Sequence, residues 1–186
     1  MTVKEILLST ATCLGREDIV NYLNDQASSV NAETISAVSN MVSLLNMVLG
    51  ELASTFVPMV KSEVIIFSSN KFRFSELTEN IIEVVDLHDE YGNEFTYEIS
   101  GQNLIADLRS GVLKYQYLPK NYDLNDVVGY KETEVSKMTL TSRLAAEYSI
   151  SEGLFDEAVM WHKRFEESVE KTCCPKNATV KERSFV

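Results

Sequence analysis

A chain of 186 residues with 45 % apolar and 24 % charged side chains sits at the globular average, which excludes a disordered or low-complexity protein. That length suits one domain, or one domain carrying an insertion. The net charge of −11 excludes nucleic acid as the main partner, because a chain that neutralises phosphates needs a basic surface.

The charge is uneven. The last sixteen residues carry Lys171, Lys176, Lys181 and Arg183 against Glu182 alone, a net +3 that leaves −14 on the rest. A cationic tail on an acidic body suits contact with another acidic surface, such as a second copy; the plain alternative is a frayed end. No uninterrupted apolar run approaches the ~20 residues of a membrane span, so no membrane segment is expected. Lys4 and Glu5 interrupt any signal-like stretch. Three cysteines, Cys13 and the adjacent Cys173 and Cys174, have no disulfide-framework spacing and suggest a reducing compartment.

In chain order, Thr2 and Glu5 form a capping box opening a helix to Leu14, with Val3, Ile6, Leu7, Cys13 and Leu14 inward and Gly15 ending it. Glu17 to Leu23 predicts a short helix whose acidic first turn suits the positive end of the dipole. Asn31 caps a third, long helix, with Val30 stapled on Ile35. Its stripe runs Ile35, Val38, Met41, Val42, Leu45, Val48, Leu49, Leu52 and Phe56 until Pro58 stops it. At 1.5 Å per residue it is roughly 38 Å long and is expected to be the spine of the helical part.

From Lys61 the period becomes two. Strands are predicted over Val64–Phe67, Phe72–Phe74 and Asn80–Leu87, the last alternating around Ile82, Val84 and Val85. After a turn over Asp89–Asn93 come strands around Phe95, Tyr97 and Ile99, then Leu104, Ala106 and Leu108, then Val112–Leu118 with Leu113, Tyr115 and Tyr117 on one face. An acidic connector follows over Pro119–Lys131. Two helices close the chain, joined at Ser149–Gly153. The first carries Met138, Thr141, Leu144, Ala145 and Tyr148, and the second carries Leu154, Ala158, Trp161, Phe165 and Val169; so short a joint makes them antiparallel neighbours. The expected fold class is α+β: a bundle of about five helices (residues 1–58 and 119–172), an inserted antiparallel β lobe of about six strands (59–118), and a flexible basic tail (173–186).

The chemistry of catalysis is not visible. Asp86, His88, Asp89, Glu90 and Glu94 are the one cluster suited to a divalent ion, so a metal-dependent enzyme built on Asp86, His88 and Glu90 is an alternative. Their place at a strand end entering a turn is ordinary for solvated charge. His162 has no second histidine near it, and adjacent cysteines fit a zinc site poorly. Neither Cys13 nor Cys173 has an evident basic partner for nucleophilic work. Glycine-rich phosphate loops are absent. No catalytic residue, cofactor or metal is therefore assigned. Arg164, three residues beyond Trp161, can pair with Glu167 or with a neighbouring subunit.

Ala145-Ala146-Glu147-Tyr148, Gly153-Leu154-Phe155-Asp156-Glu157-Ala158 and Trp161-x-x-Arg164-Phe165 together resemble the C-terminal part of phage and prophage head–tail connector (adaptor) proteins. Gly111–Pro119 is similar to that family's strand leading out of its β part, and Leu14-Gly15-Arg16-Glu17-Asp18 to its Firmicutes prophage members. The resemblance covers most of the chain as an order of elements and about forty residues as motif. It implies a non-enzymatic subunit, a helical bundle with a β insertion, and dodecameric rings beneath the portal of a virion assembled in the host cytoplasm. It further implies portal and tail proteins as partners, DNA passing through without sequence-specific binding, no membrane, and a C-terminal segment reaching the portal. The partner-binding residues would then be Arg164, Lys176, Lys181, Arg183, Phe185 and Val186. A regulatory interaction module acting through a partner protein is the alternative from another class.

Overall fold

The computed structural model describes residues 1–26 and 31–173. Its helices are α1 (Val3–Cys13), α2 (Glu17–Leu23), α3 (Ala32–Glu51), α4 (Lys137–Ser151) and α5 (Phe155–Cys173). Its strands are β1 (Met59–Ile66), β2 (Lys71–Arg73), β3 (Asn80–His88), β4 (Glu98–Ser100), β5 (Asn103–Ile105) and β6 (Ser110–Leu118). The class is α+β, as the periodicities require. The chain divides into two compact units: Met1–Val48 with the chain from Tyr122 onward, and Leu49–Asn121. The division falls inside α3, ahead of the Pro58 boundary expected from sequence, because the turn after α3 packs on β6 within the second unit.

In the helical unit, α1 begins with the capping box: Glu5 N donates to Thr2 Oγ1 at 3.2 Å and Thr2 N to Glu5 Oε2 at 2.8 Å. Val3, Ile6 and Leu7 are buried, joined by Thr10 and Ala11. Cys13 is exposed, contrary to the expected stripe, because the last turn rotates it outward as the chain bends at Gly15. Gly15 holds φ +68°, a left-handed value natural to glycine alone among the residues of this turn. Arg16 then grips α2 and α4 together. It bonds both oxygens of Asp18 at 2.9 Å and donates to the Tyr148 hydroxyl, while Thr34 on α3 donates to Asp18 at 3.2 Å. The Arg16 hydrogen bonds, working against burial, hold the Asp18 carboxyl down at about 2.

Helix α3 buries Val38, Met41, Leu45, Val48 and Leu49, but Ile35 is 48 % exposed, so the first turn of the expected stripe faces outward. Val30, its expected staple, lies outside the described residues. The α-helix ends at Glu51 and continues as a π-helical turn over Leu52–Phe56, which retains Leu52 and Ala53 inside and turns Phe56 out. Taken together, Ala32–Phe56 is long and apolar enough by length and composition to cross a membrane, which corrects the count of uninterrupted runs. A core helix of this kind passes the same test.

Helix α4, not α3, is the most enclosed element. Thr139, Leu140, Thr141, Ser142, Leu144, Ala145, Ala146, Tyr148 and Ser149 are all buried, whereas Met138 is 58 % exposed, against expectation. Small hydroxylated residues let neighbours approach closely; Ser149 Oγ is buried without a hydrogen-bond partner among the described residues, whereas Thr139 is well partnered. Thr139 Oγ1 lies 2.8 Å from Ser136 Oγ, the N-cap, and 2.6 Å from Ser168 Oγ on α5. Ala158, Trp161, Phe165 and Val169 of α5 are buried as the spacing predicts, while Leu154 is 49 % exposed just ahead of the helix. The acidic connector is pinned: Asn46 of α3 donates to Tyr122 O at 3.0 Å and accepts from Tyr122 N at 2.8 Å. Val3 N and Lys4 N donate to Asp126 O and Leu124 O, both at 3.0 Å.

In the β unit, two three-stranded antiparallel sheets have the orders β1-β6-β3 and β2-β5-β4. Ile65, Val84, Leu87, Leu113 and Tyr115 from the first sheet and Phe72 and Leu104 from the second form one core with Phe67 and Ala106. Phe67 meets Phe72 edge-on at 6.4 Å between ring centres. Register shifts between Ile81 and Glu83 and between Val84 and Asp86 leave Ile82 and Val85 exposed. The simple alternation expected there fails because each bulge resets the faces. Phe74 enters a 3-10 turn instead of extending β2, and β4 is confined to Glu98–Ser100, with Phe95 and Tyr97 outside it.

Gly111 of β6 and a network around Glu63 hold the first sheet. Tyr115 Oη donates to Glu63 Oε1 at 2.6 Å, Lys61 Nζ lies 3.1 Å from the same oxygen, and Thr78 donates both its amide and its hydroxyl to the carboxylate. Burial works to raise the Glu63 carboxyl; the Thr78, Tyr115 and Lys61 hydrogen bonds outweigh it and draw it from 4.5 to about 2. Burial and the bond to Glu63 push Tyr115 up to about 12. The depressed carboxyl stabilises the fold fully above its unfolded value, and that contribution disappears as pH falls from 4.5 toward about 2. Acid titration of the melting temperature should show this loss, on the order of 2 kcal/mol after screening. Glu63→Gln should flatten the profile across that window.

Candidate functional site

The chain between α4 and α5 turns at Gly153, and the two helices leave a groove on the outside of their joint. Arg143, Ala146, Glu147 and Ile150 of α4 face Phe155, Ala158, Val159 and His162 of α5 across a volume of about 400 Å³. Buried Ala146 and Ala158 line it with little bulk, so an incoming side chain can sit deep. Its rim is apolar and open, with Phe155 67 %, Val159 70 % and Ile150 47 % exposed. Leu154 and Met160 of the same hairpin are also exposed, outside the groove lining. Several large apolar side chains on one short hairpin are thus left in water, a composition suited to contact with another surface.

One end of the groove is polar and rigid. Arg143 Nη2 lies 2.8 Å from Glu147 Oε1, with only 13 % and 14 % of those side chains exposed. The guanidinium also covers the Phe165 ring at 5.4 Å and lies 3.0 Å from His162 Nδ1. A guanidinium only donates, so Nδ1 is the side of the ring suited to accept from Arg143, while Nε2 faces Glu166 at 3.5 Å. His162 is thus a groove-end residue on the outer side of α5, not a packed core histidine. Periodicity does not reveal Arg143, Glu147 or the groove-facing side of His162, because each depends on the neighbouring helix.

Arg164 lies over the Trp161 ring at 4.7 Å, one turn back on its own helix. Lys176, Lys181, Arg183, Phe185 and Val186 lie outside the described residues. Trp161 and Phe165 sit in the core, as does Tyr115, while Tyr117 is half-buried against it.

The metal alternative gains nothing. Asp86 Oδ2 is 2.7 Å from His88 Nε2, but Glu90 accepts from Ser110 and Asp89 closes its own turn through the amides of Tyr91 and Asn93. His88 Nδ1 is buried without a hydrogen-bond partner, yet among the described residues no group of three His, Cys, Asp or Glu is placed to hold an ion. A second, polar groove of about 860 Å³ runs along α3 between Arg16, Glu33, Ser36, Asn40, Tyr148 and Glu152. Its strongest groups, Arg16 and Tyr148, are bonded to each other in holding the helices together.

The sequence matches no family model and no curated protein.

Proposed function

We propose that this chain is a structural head–tail connector subunit of a phage or prophage particle, docking by shape on a portal and on copies of itself. One observation carries the reading. Ala146, Glu147, Phe155 and Ala158, which belong to the segments resembling connector proteins, line the open hairpin groove. Tyr148, Trp161 and Phe165 of those segments are buried and serve the fold, whereas Phe155 stands two-thirds in water, where the fold does not use it.

The charge supports the same reading. A body bearing −14 ahead of its last sixteen residues suits the wall of a channel through which DNA slides without adhering. Ring assembly, portal and tail proteins as partners, a place in the virion and the absence of chemistry on a substrate follow from the resemblance. The basic segment with Lys176, Lys181, Arg183, Phe185 and Val186 would supply further partner contacts.

The test is a mixed sample of the purified chain and the portal protein encoded with it, weighed by native mass spectrometry. A ring on the portal is expected. Phe155→Asp should weaken that complex about 100-fold or more, as for an anchor residue, with the melting temperature nearly unchanged because the side chain is exposed. A chain that ignores the portal overturns the proposal.

A further inference from the structure

Strand β1 is bonded on one side only, to β6, with Met59 opposite Tyr117 and Ile66 opposite Ser110. The same register continues to Phe67, whose N–H donates to Arg109 O at 2.9 Å. Hydrogen-bonded residues alternate along an antiparallel ladder. The odd positions of β1 therefore bond β6, while Val60, Ser62, Val64 and Ile66 turn their N–H and C=O groups toward the free edge. Their side chains are also exposed, Val64 at 76 % and Ile66 at 73 %. Neither proline nor bulge interrupts the eight residues of β1, whereas β3 at the opposite edge has two register shifts; the two charges of β1, Lys61 and Glu63, are of opposite sign.

The sequence of this edge reads Val60-Lys61-Ser62-Glu63-Val64, which is complementary to itself when reversed about Ser62. We propose that two copies of the chain join β1 to β1 antiparallel about Ser62, making one six-stranded sheet. In that register Ser62 faces the partner's Ser62 and Val60 faces the partner's Val64. All are residues with free backbone groups, giving about six bonds between copies. Lys61 stands opposite the partner's Glu63, and Glu63 opposite the partner's Lys61. Sliding by two residues one way sets Lys61 against Lys61, and the other way Glu63 against Glu63. A slide of one residue puts the apolar outer face of one copy beside the inner face of the other. Charge, hydrogen-bond phase and face thus select one register. Such a contact is two-fold and closes at two copies, so it belongs to the free chain and is independent of any ring on a portal.

Sedimentation of the full chain without portal, at about 100 µM, tests the pairing together with hydrogen exchange. The expected species has twice the 21.0 kDa chain mass. The amides of Ser62 and Val64 should become protected as concentration rises. Ser62→Pro removes a donor that β6 does not use, so it should give a monomer with the melting temperature that the wild-type chain shows when diluted below its pairing range. A wild-type monomer at that concentration, an oligomer unmoved by Ser62→Pro, or rapid exchange at Ser62 and Val64 within the oligomer would each overturn the proposal. The exchange measurement on the unmodified chain decides the matter even if the proline variant fails to fold.

Discussion

Phe165→Ala should lower the stability of the helical unit by about 3–5 kcal/mol, the largest single effect expected in the molecule. Phe165 is 2 % exposed and sits beneath Arg143, whose guanidinium covers its ring at 5.4 Å. Truncation leaves a ring-sized cavity and removes the surface that orients Arg143, so Glu147 and His162 lose a fixed partner at the groove end. Urea unfolding followed by tryptophan fluorescence measures the loss directly, since Trp161 lies one turn away. Phe165→Leu should recover much of the packing but not the cation–ring contact. A loss under about 1 kcal/mol for the alanine variant would mean that the groove end is held by other groups.

Gly111→Ala should cost the β unit about 3 kcal/mol. A methyl placed there would lie 2.6 Å from the His88 carbonyl oxygen and 3.3 Å from Leu87 Cδ1. The first of these is backbone, held in the β3–β6 ladder at His88 opposite Val112, and it can yield only by parting the strands. Hydrogen exchange should therefore quicken along both β3 and β6, with the helical unit unaffected. Gly92 tests the argument from the other side, because a methyl group there meets nothing within 4 Å. The cost at that position would be the strain of φ +84° alone.

What the sequence reveals follows from what is local. The α1 capping box, the Gly15 stop and the Ala158–Trp161–Phe165–Val169 stripe are each set within a few residues, and all appear as predicted. Errors arise where a second element decides. Met138 and Ile35 continue an apolar period but face water, because no neighbour among the described residues covers those turns. Conversely, α4 is the best-buried helix although Thr139, Thr141, Ser142 and Ser149 lower its apolar character. The bulges of β3 have no sequence sign beyond the adjacent Val84 and Val85, which two-residue alternation cannot place on one face. The hairpin groove is half legible: Ala146, Glu147, Phe155 and Ala158 lie in the segments that resemble connector proteins, but Arg143, Ile150, Val159 and His162 do not, and periodicity alone cannot tell an open aromatic from a covered one.

Asn46 grips Tyr122 through both its amide atoms, and it stands two residues before the chain leaves the helical unit at Val48, while Tyr122 is where the chain comes back. The two severed ends of the intervening segment would thus emerge side by side. A short glycine–serine bridge could replace Leu49–Asn121, leaving a self-sufficient helical remnant. Swapping that segment for a foreign module would be equally undemanding, so one scaffold can host different sheets and acquire new neighbours without redesigning its own interior.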